Sequence, residues 1–261
     1  MRNSIVPSAS GHCAPCPVLG FMTPLQRYHR DLEEGVLFPD PAQAHAIDCV
    51  QQLYDALVRE KPSIGPWERL RQKLGLSEPD MKPDICGIYF YGGVGRGKTY
   101  IMDILYESLP FERKLRTHFH RFMQRVHQEL NRLNQQSDPL EVVAGILARE
   151  ARIICFDEFF VSDIGDAMIL GGLLQHLTNA GVVLVATSNI HPDGLYENGL
   201  QRARFLPAIA LLHRHTRIIE LDSGIDYRLR ALEQAPLVQS MLAVEPEFDP
   251  LRDQPEAAPA R

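Results

Sequence analysis

The sequence predicts an α/β fold, in which an open parallel sheet carries helices on both faces. Three short apolar runs, at residues 88–91, 152–156 and 182–186, have the length and composition of buried strands. Glycines or polar residues follow each run, and a segment with helical spacing of apolar residues comes next. Strands that alternate with helices in this way indicate parallel strands joined by helical crossovers. The 261 residues and 45% apolar content suffice for one such domain with appendages.

The remaining elements are predicted from the same periodicities. Helices are expected over residues 41–57, 100–109, 121–134, 140–149, 163–179 and 203–213, and further strands over 114–119 and 216–221. The chain is thereby divided into a flexible extension (1–21), an N-terminal helical segment (22–86), a core (87–230) and an acidic, proline-rich tail (231–261). Such a tail is too poor in apolar residues to bury a core, so disorder is expected there.

A glycine-rich loop follows the first strand. Its residues fit the pattern G-x-x-x-x-G-K-[ST], which is a P-loop. Glycines let successive backbone amides turn towards phosphates, and the next helix presents its positive end to the same charge. Lys98 is expected to reach the β- and γ-phosphates, and the Thr99 hydroxyl to bind Mg²⁺. A chance match is the alternative, but the flanking strand and helix supply the required context. The expected nucleotide contacts are Gly92, Gly93, Val94, Gly95, Arg96, Gly97, Lys98 and Thr99.

Two carboxylates follow the second strand. Asp157 and Glu158 are expected at its carboxyl end, beside the phosphate site. Asp157 would hold Mg²⁺, directly or through water, and Glu158 would polarise the attacking water, since phosphoryl transfer depends on positioning and electrostatics. This is the Walker B pattern, and the pair favours hydrolysis over transfer to a small acceptor. The alternative is a solvated turn.

The third strand ends in Thr187, Ser188 and Asn189. A polar residue here is expected between the first two motifs, where Asn189 could orient the lytic water or contact the γ-phosphate. This is the sensor 1 position of AAA+ ATPases. Taken alone, such a tripeptide is usually a helix cap or the start of a loop.

With these motifs in place, the chain resembles the ZapE-type AAA+ ATPases. The resemblance rests on GIYFYGGVGRGKT (87–99), HFHRFM (118–123), ICFDEF (154–159), ATSN (186–189), GLQRARFLPAI (199–209) and DYR (226–228). It implies a P-loop NTPase of AAA+ type that hydrolyses ATP with Mg²⁺ in the cytoplasm. It also implies a role in cell division, with the tubulin-like division ring protein as the expected partner.

The resemblance further implies assembly into a homo-oligomer in ATP. AAA+ proteins generally complete each site with an arginine from the neighbouring subunit, which neutralises charge in the transition state. Arg204 is our first candidate for this role, and Arg202 is the second. The alternative is that both arginines are solvated surface charges. Family members continue into a C-terminal helical lid with a second sensor arginine. Residues after 242 offer little for such a lid, so it is expected to be short or missing.

Composition limits the function classes. The formal net charge is −6 and no basic run stands out, which disfavours strong binding to nucleic acid or anionic lipid. No stretch approaches the roughly 18 apolar residues of a membrane span, and the N-terminus lacks the apolar core of a secretory signal. Besides the ATPase acting on a protein, two hypotheses stay open: a DNA-associated ATPase of helicase-loader type, and a non-hydrolysing adaptor that binds ATP.

A few residues outside the motifs carry weaker expectations. Cys13 and Cys16 form a C-x-x-C, but a structural zinc site would need a second ligand pair. His118 and His120 alternate on a predicted strand, where packing under the P-loop is favoured over a metal site or proton relay. Gln43, on the helix predicted over 41–57, is either a contact to the base or part of the core.

Overall fold

A computed structural model describes residues 22–59, 85–133 and 137–222 of the chain. The strands within these residues are β1 (Gly87–Tyr91), β2 (Lys114–His118), β3 (Ile153–Asp157), β4 (Val183–Ser188) and β5 (Thr216–Glu220). They form one sheet in the order β2-β3-β4-β1-β5, and all four neighbouring pairs are parallel. The predicted open parallel sheet is therefore confirmed. The strand that ends in Thr187 and Ser188 lies between the other two motif strands, as expected.

Helices cover both faces of the sheet. They are α1 (Pro24–Glu33), α2 (Pro41–Arg59), α3 (Lys98–Ser108), α4 (Phe119–Arg132), α5 (Pro139–Glu150), α6 (Ile164–Asn179) and α7 (Leu206–His215), with short 3₁₀ turns at Pro192–Gly194 and Arg202–Arg204. The first three pack on one face, where Ile88 and Phe90 of β1 are buried. The last four pack on the other face, against Tyr89. Alternate residues of the central strand thus serve two separate cores.

Side chains at the helix ends show why the helices begin where they do. Thr23 and Gln26 form a capping box at the start of α1. The Asp138 carboxylate accepts the backbone N–H of Glu141 at the start of α5. Asp163 accepts two backbone amides in the first turn of α6. The first turns of these three helices are therefore closed by side-chain hydrogen bonds.

Two predicted boundaries are wrong. Helix α4 begins at Phe119, so His120 lies on a helix rather than beside His118 on a strand. The reason is the buried Phe119 ring, whose centroid lies 4.4 Å from that of Phe159 in an aromatic cluster on the second face. The helix predicted over 203–213 begins at Leu206, with Pro207 in its first turn, and is preceded by a 3₁₀ turn.

Several predictions lie outside the described residues. They concern the extension at 1–21 with its C-x-x-C, the acidic tail at 231–261, and the C-terminal lid. None of the described helices combines the length and the apolar character that crossing a membrane requires. Among the described residues, no group of three or more His, Cys, Asp or Glu side chains is placed to hold a metal ion.

Candidate active site

The P-loop turns sharply between β1 and α3. Gly92, Gly95 and Gly97 all have φ angles between 78° and 147°, a region that side chains disfavour. At Gly92 the backbone also passes close to the end of β5, because an added Cβ would lie 2.3 Å from the Leu221 carbonyl oxygen. Glycine is therefore required here both for the turn and for the close approach of two strands.

The start of α3 is suited to bind an anion. Gly97 occupies the position before the helix and has no side chain with which to cap its first turn. The leading amides of a helix have no partner within it, and together with the helix dipole they favour phosphate. The Lys98 ammonium adds a positive charge here and donates to the carbonyl oxygens of Gly92 and Gly93, each at 2.6 Å. The loop and helix together form a positively charged cradle.

Glu158 lies on a turn held in an unusual conformation. Its φ of 55° is in the left-handed region, which is uncommon for residues other than glycine and is found where surrounding contacts impose it. Those contacts come from β4: the Phe159 amide donates to the Thr187 carbonyl at 2.7 Å, and the Glu158 amide donates to Thr187 Oγ1 at 3.3 Å. Ser188 Oγ donates to the Phe159 carbonyl at 2.8 Å. The backbone is thus fixed, while the Glu158 side chain is 82% exposed.

A cleft of about 960 Å³ joins these parts. Residues from the P-loop, the turn after β3 and the end of β4 line it together: Val94, Gly95, Arg96, Gly97, Lys98, Thr99, Tyr100, Glu158, Phe159, Phe160, Thr187, Ser188, Asn189 and Ile190. The three motifs therefore meet at one edge of the sheet. Of the predicted site residues, Asp157, Gly92, Gly93 and Arg204 do not line the cleft.

Asp157 is engaged by an arginine that sequence reasoning did not identify. Arg116 of β2 donates to both of its carboxylate oxygens, with Nε–Oδ2 at 2.7 Å and Nη2–Oδ1 at 3.3 Å. The same guanidinium also donates to Asp103 of α3. Because the link depends on strand register and on packing against α3, the local sequence carries no signal for it.

Two residues outside the motifs had expectations of their own: that for His118 is wrong, and the expectation that Gln43 is part of the core is confirmed. His118 does not pack under the P-loop: its side chain is 45% exposed, and Nδ1 lies 3.9 Å from Glu158 Oε2. Its ring lies nearly parallel to that of His120, with centroids 5.9 Å apart. Gln43 is almost fully buried, and its Nε2 donates to the Arg96 carbonyl at 3.4 Å. Gln43 thus contacts the P-loop backbone.

Arg202 and Arg204 lie on the second 3₁₀ turn. Arg202 is anchored within its own chain, since its Nη2 donates to the Asp193 carbonyl at 2.5 Å. The Asp193 carboxylate is in turn bonded to His213 at 2.7 Å. Arg204 is exposed. Between the two, Arg204 is the better placed to reach another molecule.

The chemistry of Thr99 and Asp157 fits a magnesium ion bound together with phosphates. Mg²⁺ prefers oxygen ligands, and in nucleotide sites it is held by one or two protein groups, phosphate oxygens and water. Thr99 provides a hydroxyl at the first turn of α3, and Asp157 provides a carboxylate at the end of β3. The cradle at the start of α3, beside Thr99, is where the phosphates would lie.

The order of the strands and the meeting of three motifs in one cleft define a P-loop NTPase fold of AAA+ type. The family model described as "AFG1-like ATPase" matches residues 22–254, and the chain belongs to this family. The match extends beyond residue 230, where the sequence resemblance was expected to end.

Two named relatives show the same similarity. "Cell division protein ZapE" of Escherichia coli K12 is 50% identical over 225 residues, 85% of this chain and 60% of that protein, which confirms the ZapE resemblance. "Lactation elevated protein 1 homolog B" of Danio rerio is 48% identical over 222 residues, 77% of this chain and 43% of that protein. The chain thus spans at most 60% of the length of either relative. A crystal structure of DnaI superimposes with a TM-score of 0.47 at 16% identity, covering 72% of this chain and 89% of DnaI.

Proposed function

We propose that this chain binds ATP with Mg²⁺ and hydrolyses it, and that it uses the cycle to act on a protein partner in cell division. The observation that carries the proposal is the single cleft lined by the P-loop, Glu158 and Asn189. A phosphate cradle and an exposed carboxylate on a fixed backbone are two of the parts that hydrolysis of a γ-phosphate needs.

Each residue then has a definite task. The amides at the start of α3 and the Lys98 ammonium bind the phosphates. Thr99 and Asp157 would hold Mg²⁺, which when bound neutralises charge on the β- and γ-phosphates. The Glu158 carboxylate accepts a hydrogen bond from the attacking water and orients it. The Asn189 amide contacts the same water or the γ-phosphate.

The fixed turn explains why Glu158 is suited to this task. The rate of a reaction that depends on positioning falls when the orienting group is displaced by even about 1 Å. Thr187 holds the Glu158 backbone through two hydrogen bonds to adjacent amides. Strand β4 therefore ends directly before Asn189 and also fixes the backbone from which the Glu158 side chain extends.

We further propose that the active form is a homo-oligomer in ATP. Arg204 would enter the cleft of a neighbouring subunit and neutralise charge on the transferred phosphoryl group. Its exposure and the anchoring of Arg202 within the chain support this assignment. An arginine supplied in this way is worth about 10³ to 10⁵ in rate in related phosphoryl-transfer systems.

The setting is inferred from the E. coli relative, whose name places it in cell division. We propose the cytoplasm as the compartment and the tubulin-like division ring protein as the partner. The formal net charge of −6 does not favour nucleic acid as the partner.

Hydrolysis is tested by measuring Mg-ATP turnover across a range of protein concentrations, with Lys98→Ala as the blank. Turnover per chain should rise with concentration, because subunits complete each other's sites. Glu158→Gln should keep ATP binding and lose turnover. Arg204→Gln should lower turnover about 10³-fold, whereas Arg132→Gln, which removes another exposed arginine, should not.

Two outcomes would contradict the proposal. Absence of turnover above the blank at every concentration would exclude hydrolysis by this chain and favour the ATP-binding adaptor. Turnover that is independent of concentration and unchanged in Arg204→Gln would exclude sharing of sites.

The partner is tested separately by co-sedimentation with polymers of the division ring protein, which should depend on ATP and fail for Lys98→Ala. If the wild type and the Lys98→Ala variant co-sediment equally, an interaction controlled by the nucleotide is excluded.

A further inference from the structure

A guanidinium lies between two carboxylates at the side of the candidate magnesium site. Arg116 is on the edge strand β2, opposite Cys155 of β3 in the parallel register. Its side chain reaches diagonally to both oxygens of Asp157 and also donates to Asp103. One arginine thus connects the end of β3 to helix α3.

The bridge is next to both proposed magnesium ligands. Asp103 lies four residues after Thr99 on α3, so the two side chains occupy the same face of the helix, one turn apart. Asp157 is itself the second ligand. The side chains of Arg116 and Asp157 are only 21% and 15% exposed, so bulk water screens this contact weakly.

Arg116 carries its charge throughout the accessible pH range. A guanidinium is not deprotonated in proteins, and this one is paired with two carboxylates. Without this charge, two carboxylates would face each other beside a threonine hydroxyl. Carboxylate and hydroxyl oxygens attract divalent cations. Loss of the Arg116 charge would strengthen this attraction at Asp103 and Asp157, because the guanidinium repels a cation.

We propose that Arg116 takes the place of a divalent cation between Asp103 and Asp157, and so keeps bare cations out of the site until the nucleotide brings one. Arg116 is in this sense a positioning residue. It uses one lone pair on each Asp157 oxygen and holds the carboxylate in one direction, while the remaining lone pairs stay available to the ion or its water. The inference rests on the proposed function insofar as Asp157 is the magnesium ligand.

The test uses Mn²⁺ alone, followed by electron paramagnetic resonance on the nucleotide-free chain. The wild type should bind Mn²⁺ weakly without ATP and tightly with it. Arg116→Gln should bind one Mn²⁺ per chain without ATP, about ten-fold or more tightly than the wild type. Adding Asp103→Asn to that variant should weaken the binding again. Arg116→Lys keeps a positive charge and should still exclude the ion.

Arg125→Gln is the matched control. Arg125 donates to both oxygens of Glu150, at 2.6 and 2.8 Å, away from the cleft, so its loss should not create a Mn²⁺ site. The proposal is overturned if folded Arg116→Gln binds no more Mn²⁺ than the wild type, or if Arg125→Gln gains as much. It is also overturned if the wild type binds Mn²⁺ equally with and without ATP, a result that does not depend on any variant folding. Failure of ATP hydrolysis would refute the proposed function but leave the nucleotide-free Mn²⁺ result standing.

Discussion

Removing the hydroxyl of Tyr100 should measurably weaken the attachment of α1 to the P-loop helix. Tyr100 follows Thr99 on α3, and its hydroxyl donates to Asp31 Oδ2 at 2.6 Å. Asp31 is only 7% exposed. Arg30 donates to the other oxygen, Oδ1, at 3.0 and 3.2 Å. Tyr100→Phe therefore leaves one oxygen of a buried carboxylate without this donor.

The expected cost follows from the chemistry of that contact. A hydrogen bond to a charged group contributes about 1.5 to 3 kcal/mol to stability, and phenylalanine fills nearly the same volume as tyrosine. We expect Tyr100→Phe to lower the free energy of unfolding by about 2 kcal/mol. For a domain of this size, that corresponds to a fall in Tm of about 4 to 8 °C. Urea denaturation followed by circular dichroism would measure it.

A matched variant separates this effect from the general cost of losing a phenol. Tyr106 lies on the same helix, and its hydroxyl donates to the neutral carbonyl of Lys114 at 3.3 Å. Tyr106→Phe should cost about 1 kcal/mol or less, because a longer bond to a neutral group is weaker. If Tyr100→Phe destabilises the chain no more than Tyr106→Phe, the reasoning about Asp31 is refuted.

The pH dependence supplies a second check with a definite sign. Burial raises the pKa of Asp31, but the bonds from Tyr100 and Arg30 outweigh it and leave the pKa below its ordinary value. A carboxylate of this kind stabilises the fold above its unfolded pKa of about 3.9, and the contribution is lost as the pH falls through the folded value. The difference between wild type and Tyr100→Phe should therefore shrink as the pH is lowered from about 5 towards 3.

Three further predictions concern the P-loop, the Glu158 turn and a helix end. Gly97→Ala should weaken binding of a fluorescent ATP analogue, because its φ is 86° and an added Cβ would lie 2.5 Å from the Gln43 amide nitrogen; unchanged affinity would contradict this. Thr187→Val should lower turnover while ATP binding is retained, since it removes the side-chain bond to the Glu158 amide; equal loss of both would point to a folding defect. Asp163→Ala should cost about 1 kcal/mol in a thermal melt through the lost cap, and a neutral result would contradict it.

The sequence predicts the strands and their motifs well for a physical reason. Buried parallel strands are short apolar runs, and the polar residues that follow them must lie at one edge of the sheet. The sequence alone therefore predicts that the P-loop, Glu158 and Asn189 lie together. It does not predict the turn conformation of Glu158, because its φ of 55° is imposed by Thr187, which is distant in sequence.

The errors arise where tertiary packing overrides a local pattern. His118, Phe119 and His120 alternate in polarity as a strand would, and this pattern predicts that both imidazoles share one face. The burial of Phe119 against Phe159 begins helix α4 at that residue, so the strand assignment of His120 is wrong, although its ring still lies nearly parallel to that of His118. A periodicity of two over three residues is too short to outweigh the gain from burying an aromatic ring.

Strand β2 brings a residue to the candidate site that motif reasoning could not reach. All five of its residues are half-buried, as befits an edge strand, and only the last of them, His118, belongs to a motif quoted from the sequence. It nevertheless brings Arg116 to Asp157 and His118 to within 3.9 Å of Glu158. The two acidic motif residues are thus both faced by basic side chains from this one strand. Substitutions in β2 should consequently alter metal selectivity and water positioning while leaving every residue of the P-loop and the Walker B pair in place.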